Sequence, residues 1–308
     1  MNHYAIYGAC LASDVPFPEL RPAGGLRPKW VFETTSALEP ARNAFELGAE
    51  RIYDDVHARL YRHAAGHRII VDDTGEYDLS PDGRRVRWQD RADAWPDFVR
   101  AHLMGRVLAT SMFLDGLLPL HASAVAFDDR VVAFIAPKGY GKSSLALALT
   151  HGGARLVTDD TLPVELGPAM IAWPGVHAVR VPSDSLEAIG APASSARTRE
   201  GKSVVNDLAR DRLASTPGPL AALYVLQPVT DDAPDGVTRE PLAETVATLL
   251  VMAHVKVARM LGAAAAPVLL DRAVSVARAV PAYHLKVPRN LSSLAATAAR
   301  VRAWHATP

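Results

Sequence analysis

The stretch Ala136-Pro137-Lys138-Gly139-Tyr140-Gly141-Lys142-Ser143 decides how this chain is read. Before it stands Val131-Val132-Ala133-Phe134-Ile135, an apolar run of strand length. After it comes Ser144-Leu145-Ala146-Leu147-Ala148-Leu149, rich in helix formers. Strand, glycine loop and helix together form a phosphate cradle. Backbone N–H groups converge on phosphate oxygens there, and the helix N-terminus adds partial positive charge. On this reading Pro137, Lys138, Gly139, Tyr140, Gly141, Lys142, Ser143 and Ser144 line the phosphate site. Lys142 reaches the outer phosphates and Ser143 ligates Mg²⁺. One position departs from the pattern: Ala136 stands where a glycine is usual. Alanine serves there only if the backbone needs no positive φ and a Cβ fits.

Outward from the loop, the whole chain sets broad limits. It has 308 residues, enough for one large or two modest domains. Lys+Arg and Asp+Glu both total 33, so the formal net charge is zero. That balance argues against a general nucleic-acid or membrane-surface binder. With a single cysteine, Cys10, no internal disulfide can form, which suits a cytoplasmic chain. Cys10 lies in a strand-like stretch and reads as a small buried residue. Neither a signal peptide nor an apolar run of membrane-spanning length stands out.

Residues up to about 90 read as β-rich. Tyr4-Ala5-Ile6-Tyr7, Arg51-Ile52-Tyr53, Arg68-Ile69-Ile70-Val71 and Arg84-Arg85-Val86-Arg87-Trp88 are strand candidates separated by turn signals. The proline-rich stretch from Pro16 to Pro40 reads as irregular. A helical pattern runs from Trp95 to about Gly116 and is expected to link two domains. The division expected is 1–116 for an N-terminal β-rich domain with its linking helix, and 117–308 for an α/β domain built on the glycine loop. In the second part, strands are expected at Arg155–Thr158, Pro163–Leu166, Ala178–Val181, Ala221–Leu226 and Ala282–Val287. Helices are expected at Leu242–Leu261, Ala266–Val280 and Leu291–Trp304. The polar stretch Ala193–Pro219 reads as a mobile loop.

Asp159-Asp160 closes a strand about a helix length after the loop. Carboxylates at a strand's carboxyl end, beside a phosphate loop, are placed to hold Mg²⁺ or to take a proton. As a plain sequence feature the pair would serve equally as a solvated turn. His121 precedes a strand expected to lie next to the loop strand. Its imidazole could bond a carboxylate or a phosphate, or simply be a half-buried structural histidine. Arg197, Arg199, Lys202, Arg210 and Arg212 cluster in the polar stretch and could supply a charge-stabilising cation, with Arg180 as a rival.

Three segments together resemble the HPr kinase/phosphorylase superfamily: Leu120-His121-Ala122-Ser123-Ala124, the loop ending Gly141-Lys142-Ser143-Ser144, and Leu156-Val157-Thr158-Asp159-Asp160. Trp173-Pro174-Gly175-Val176-His177-Ala178-Val179-Arg180-Val181 resembles the family's proline-glycine strand. The N-terminal run ending Ser13-Asp14-Val15-Pro16-Phe17-Pro18-Glu19-Leu20 resembles the related kinases of peptide-modification clusters, lasso-peptide kinases among them. The resemblance is specific from His121 to Val181 and loose elsewhere.

What it implies is an α/β P-loop kinase core of HPr-kinase type behind an N-terminal β-rich (α+β) domain. The implied activity uses ATP and Mg²⁺ to phosphorylate a serine hydroxyl of a peptide or protein. By carry-over Asp159 is the base, with His121 beside it, and Asp160 the metal-side carboxylate. The reverse order of the two aspartates stays open. The family's downstream phosphorylase motif is not recognisable, so a kinase without the reverse reaction is implied. A ribosomally made lasso-type precursor is the implied acceptor; an HPr-like protein or a small metabolite is the alternative. A non-catalytic ATP sensor is a further alternative of a different class, and a homo-oligomer follows by analogy alone.

Overall fold

The structure, a computed structural model, describes residues 1–191, 198, 201–230 and 236–306. The chain forms two compact units. One holds Met1–Pro119 with Val255–Arg272, and the other holds Leu120–His254 with Ala273–Pro308. The stretch 255–272, expected within the second domain, thus joins the first. Its tethers are backbone and side-chain bonds: Lys256 N–H donates to the Pro119 carbonyl, and Arg272 Nη1 donates to the carbonyls of Phe113 and Leu117.

The first unit is a nine-stranded sheet. Alternation builds it: Trp30 and Phe32, Ile69 and Val71, Tyr77 and Leu79 all point to one buried face. The expected irregular stretch Pro16–Pro40 contains a central strand, Trp30–Thr35, parallel to both Ala9–Ser13 and Arg85–Gln89. Burial of Trp30 and Phe32 outweighs the flanking prolines there. Cys10 is buried in the Ala9–Ser13 strand, as expected. The helix expected from Trp95 is present as Pro96–His102, a π-turn over Leu103–Val107, and Leu108–Leu114.

The second unit is built around its own sheet. Three strands run parallel: Arg130–Ile135, Gly218–Val229 and Ala282–Pro288. Ala122–Phe127 pairs antiparallel to Arg130–Ile135 through a tight hairpin, and Arg155–Thr158 lies outside it. Parallel strands need crossover connections and so carry helices on their faces. The helix Lys142–His151 follows the first of the three. Its residues 145–149 are all buried, sharing one core with Phe134, Tyr224, Leu285 and the helix Leu294–His305. The expected helix Leu242–Leu261 stops early. Glu244–Ala253 is helical, but His254 leaves helical geometry at φ −107° and ψ 10°. Its carbonyl instead accepts the N–H of His121. Among the described residues, no helix is long and apolar enough to cross a membrane.

Candidate active site

Strand Arg130–Ile135 ends at Ala136, and the helix begins at Lys142. Between them Gly139 and Gly141 both take φ of +88°, and a Cβ at either would meet nothing within 4 Å. Glycine is therefore set by backbone conformation, not by crowding. Ala136 is different. It is absent from the positive-φ residues, and its side chain is fully buried in the core with Phe134 and Leu145. The position that departs from the motif needs no glycine. It is the last residue of the strand's apolar pattern and the first of the loop.

Lys142 folds back across the loop, its Nζ donating to the carbonyls of Ala136 at 2.7 Å and Pro137 at 3.4 Å. Ser143, on the first turn, donates its hydroxyl to Asp159 Oδ1 at 2.8 Å. Asp159 stands just past the strand Arg155–Thr158, with 5% of its surface exposed. Its Oδ1 also accepts Ser123 Oγ–H at 2.5 Å, and its Oδ2 accepts the Arg180 backbone N–H at 3.1 Å. Three neutral donors thus fix the position of one buried carboxylate. The approach of the next segment is tight. Gly175 donates its N–H to the Val157 carbonyl, and a Cβ there would fall 2.0 Å from Thr158 Oγ1. Only glycine lets this segment carry Arg180 to Asp159.

Asp160 turns the other way. Its φ is +83°, a left-handed conformation that a non-glycine residue holds only when its surroundings impose it. His121 supplies part of that constraint. Its Nδ1–H donates to the Asp160 carbonyl at 3.0 Å and lies 3.3 Å from Asp160 Oδ1. Both side chains are about a third exposed. The expectation set His121 beside Asp159; the structure pairs it with Asp160. The reason is the turn: after Thr158 the chain reverses, and two adjacent carboxylates diverge.

The other expected residues divide. Arg180 reaches the acid site through its backbone N–H, while the expectation was a side-chain cation. Arg212 donates to the Thr150 carbonyl, at the last turn of the loop helix, about 12 Å from its start at 1.5 Å per residue. It anchors the helix end and takes no part in the site. Lys202 precedes a strand, Ser203–Val205, that pairs antiparallel with Val179–Val181. The stretch expected to be one mobile loop is ordered at that point. Arg197 and Arg199 lie outside the described residues.

Two contributors were missed in the sequence. Ser123 is two residues from His121 on one strand edge, and that spacing was a usable signal. His254 had none: it lies more than a hundred residues downstream, and only the fold brings it in. Its Nδ1–H donates to the Leu250 carbonyl at 2.7 Å. Burial holds its imidazole below the ordinary range; the Leu250 bond opposes this, and the positive charges of Lys142 and His121 add to it. A neutral histidine therefore stands beside the lysine.

On the side of the loop away from Asp159 lies a cavity of about 320 Å³. Gly139, Tyr140, Gly141, Ser144 and Leu145 form one wall, and the turn from Val287 to Leu294 forms the other.

The residues fit Mg²⁺ and a polyphosphate. Among the described residues no three His, Cys, Asp or Glu side chains gather as a ready-made metal cluster. Mg²⁺ in phosphate sites needs no such cluster, since one or two protein ligands plus phosphate oxygens and water complete its octahedron. Ser143 and an adjoining carboxylate would supply such a donor set.

These features define an α/β protein with a glycine loop between strand and helix and two divergent carboxylates at the end of another strand of the same sheet. No family model matches the chain, and no curated relative matches it. Among solved structures it is similar to the Hpr(Ser) kinase/phosphatase from Coxiella burnetii. The two are 16% identical, over 61% of this chain and 97% of that one, with a TM-score of 0.33.

Proposed function

We propose that this protein is an ATP- and Mg²⁺-dependent phosphotransferase that acts on a serine hydroxyl of a peptide or protein. The observation that carries the reading is the Ser143–Asp159 bond at the head of the loop helix, with Lys142 alongside. A hydroxyl and a buried carboxylate joined in this way are a metal-binding pair beside a phosphate loop.

The roles follow from the surroundings. Asp159 has both oxygens occupied by donors and is nearly sealed from solvent. It suits the metal side, and Mg²⁺ bound with Ser143 supplies charge neutralisation of the phosphates. Asp160 is more open and is oriented by His121. It suits the proton-accepting side, so we assign the two aspartates in the order opposite to the first expectation. The serine O–H gives its proton to the Asp160 carboxylate as its oxygen bonds phosphorus. The bond to the leaving diphosphate breaks, and the products are phosphoserine and ADP. Lys142 and the loop amides hold the transferring group in line.

The sequence resemblance supports a ribosomally made, lasso-type precursor as the acceptor and a cytoplasmic setting. The test is incubation of the purified chain with γ-labelled ATP, Mg²⁺ and a serine-bearing precursor peptide of the lasso type. Label on a peptide serine is the expected result. No transfer under any metal condition, with ATP still bound, would leave the sensor reading in its place.

A further inference from the structure

We infer that the outward face of the helix Glu244–Ala253 is the docking surface for an apolar stretch of the acceptor peptide, close to the serine that is phosphorylated. The inference rests on the phosphotransferase reading and adds to it the chemistry of the residues that flank the acceptor serine.

The helix is apolar on two opposite sides. Ala247, Thr248 and Val251 are buried and form its inner face. Val246, Leu249 and Ala253 follow one another at helical spacing and are exposed, Val246 to 42% and Leu249 to 59%. At about 100° per residue, these three point almost directly away from Val251. A surface helix ordinarily turns charged and polar groups outward. Here the outward polar groups are confined to the first turn, where Glu244 pairs with Arg278 and Thr245 is exposed. Apolar side chains set in a row on the wet side of a helix mark a surface that is covered in use.

Two features of this face choose its occupant. The first is size. The three exposed side chains, with half-buried Leu250 beside them, offer on the order of 200–300 Å², whereas each member of a stable dimer gives about 800 Å². That area suits a single peptide segment and is too small for a second copy of the chain. The second is position. The row ends at Ala253, and the next residue is bonded to the acid site. The His254 carbonyl accepts the His121 N–H at 2.7 Å, and His121 Nδ1–H donates to the Asp160 carbonyl at 3.0 Å. The helix end is itself fixed, because His254 Nδ1–H donates to the Leu250 carbonyl at 2.7 Å. Leu249 lies about 8 Å and Val246 about 12 Å along the axis from His254. With the span of His121 added, an extended peptide at about 3.3 Å per residue covers the way from Asp160 to this row in about three to six residues. A peptide that presents its serine to Asp160 and runs along the helix meets the row with residues that far from the serine, and the row selects apolar ones.

The experiment uses fluorescently labelled serine peptides that carry either leucines or aspartates about three to six residues from the serine, on one side or the other. Binding is measured by fluorescence anisotropy and phosphorylation by steady-state kinetics, for the wild type, Val246→Asp, Leu249→Asp and Leu249→Lys. These substitutions lie on the exposed face, so the fold should hold, and thermal melting checks it. The wild type should bind the leucine peptides at least about tenfold more tightly than the aspartate ones, and the preference should appear in KM and not in kcat. Leu249→Asp should raise KM for the leucine peptides about tenfold and Val246→Asp several-fold, with kcat and the KM for ATP within about twofold of wild type. Leu249→Lys should turn the preference toward the aspartate peptides, which a merely structural role would not do. Equal binding of the two peptide sets by the wild type, or variants that keep its preference, overturns the inference and leaves the phosphotransferase reading standing. A dimer seen in sedimentation of the wild type and lost in Leu249→Asp gives the face to a second copy and likewise overturns it. Leucine peptides that bind in the expected pattern yet take no phosphoryl group keep the face as a peptide-docking surface and overturn the phosphotransferase reading.

Discussion

In the first unit Arg68 is spread over Asp78, Glu76 and the Glu39 carbonyl; in the second, Asp159 gathers Ser123, Ser143 and the Arg180 amide. Both are dense, buried and polar. Their settings differ. Arg68 and Asp78 sit directly opposite in antiparallel register, mid-strand, with two bonds of 2.6 and 2.9 Å between them. Cation and anion answer each other inside one sheet. Asp159 lies beyond a strand end, next to a glycine loop, and its donors are all neutral. A buried carboxylate bonded, among the described residues, by neutral donors is arranged for a charge that arrives from outside. The lesson is that position relative to strand ends, and the balance of charge, separate a structural cluster from a chemical one.

The largest expected effect tests the chemical cluster. Asp160→Asn should lower kcat about 10³-fold at saturating Mg²⁺ with little change in ATP affinity, the scale of a lost general base. Asp159→Asn should instead raise the Mg²⁺ concentration needed for half-maximal rate. Steady-state kinetics across a Mg²⁺ titration separates the two. If the Mg²⁺ dependence moves with Asp160 and kcat alone falls with Asp159, the assignment is reversed and Asp159 is the base.

The matching test of the structural cluster is Arg68→Met. It leaves Asp78 buried with weaker partners, His63 at 3.6 Å and Arg87 at 3.8 Å. Breaking a buried pair by removing one member costs about 3 kcal/mol or more. Urea unfolding should show that loss. Phosphoryl transfer at a permissive temperature should stay within about twofold of wild type, because Arg68 serves the sheet alone. A kinetic defect without a stability defect would erase the distinction drawn between the clusters.

How far the sequence could separate them is instructive. The glycine loop was legible because everything it needs is contiguous: strand, turn and helix within twenty residues. Asp159-Asp160 and His121 were legible as residue types beside it, though not in their pairing. The reversal at Asp160, φ +83°, is a property of the turn that alternation does not reveal. Arg180 was read for its guanidinium; the bond it makes to Asp159 comes from the N–H that almost every residue carries. Ser123 had its spacing from His121 as a signal, whereas His254 became a site residue only through the early end of the helix Glu244–Ala253. The strand Trp30–Thr35 was hidden by prolines around it, although its own residues are strong strand formers. Local patterns came through and long-range partners did not, because a partner is chosen by topology.

A pH effect sharpens the comparison within the second unit. His305 Nε2 accepts the Tyr224 hydroxyl at 2.9 Å, and Arg239 donates to that same oxygen at 3.0 Å. Burial first, then the charges of Arg239 and Arg130, pushes His305 down to about 4. The folded value lies below the unfolded one, 6.5. Between the two the unfolded chain binds a proton that the folded chain refuses. Stability should therefore fall as pH drops from about 6.5 and level off below about 4. His67 and His254, also pushed down by burial, act in the same direction. In thermal melts across this range, His305→Gln should flatten the slope without abolishing it. An unchanged slope would show that this histidine is not a source of the acid sensitivity.

The smallest expected effect concerns the residue that made the loop look irregular. If Ala136 were a damaged glycine, Ala136→Gly would restore the motif and improve the site. The structure argues otherwise. The residue lies outside the left-handed region, so glycine's freedom is not used. Its methyl is wholly buried in the core. Glycine would lose that contact and loosen the unfolded chain, at a cost of roughly 1 kcal/mol or less. The carbonyl that Lys142 Nζ contacts belongs to the backbone and survives the change. Thermal melting should therefore drop slightly, with kcat/KM for ATP within about twofold of wild type. A clear gain in kcat/KM would mean that the alanine holds the loop away from its best phosphate-binding shape. A small loss of stability alone would place Ala136 with the core and leave the phosphate cradle to Gly139 and Gly141.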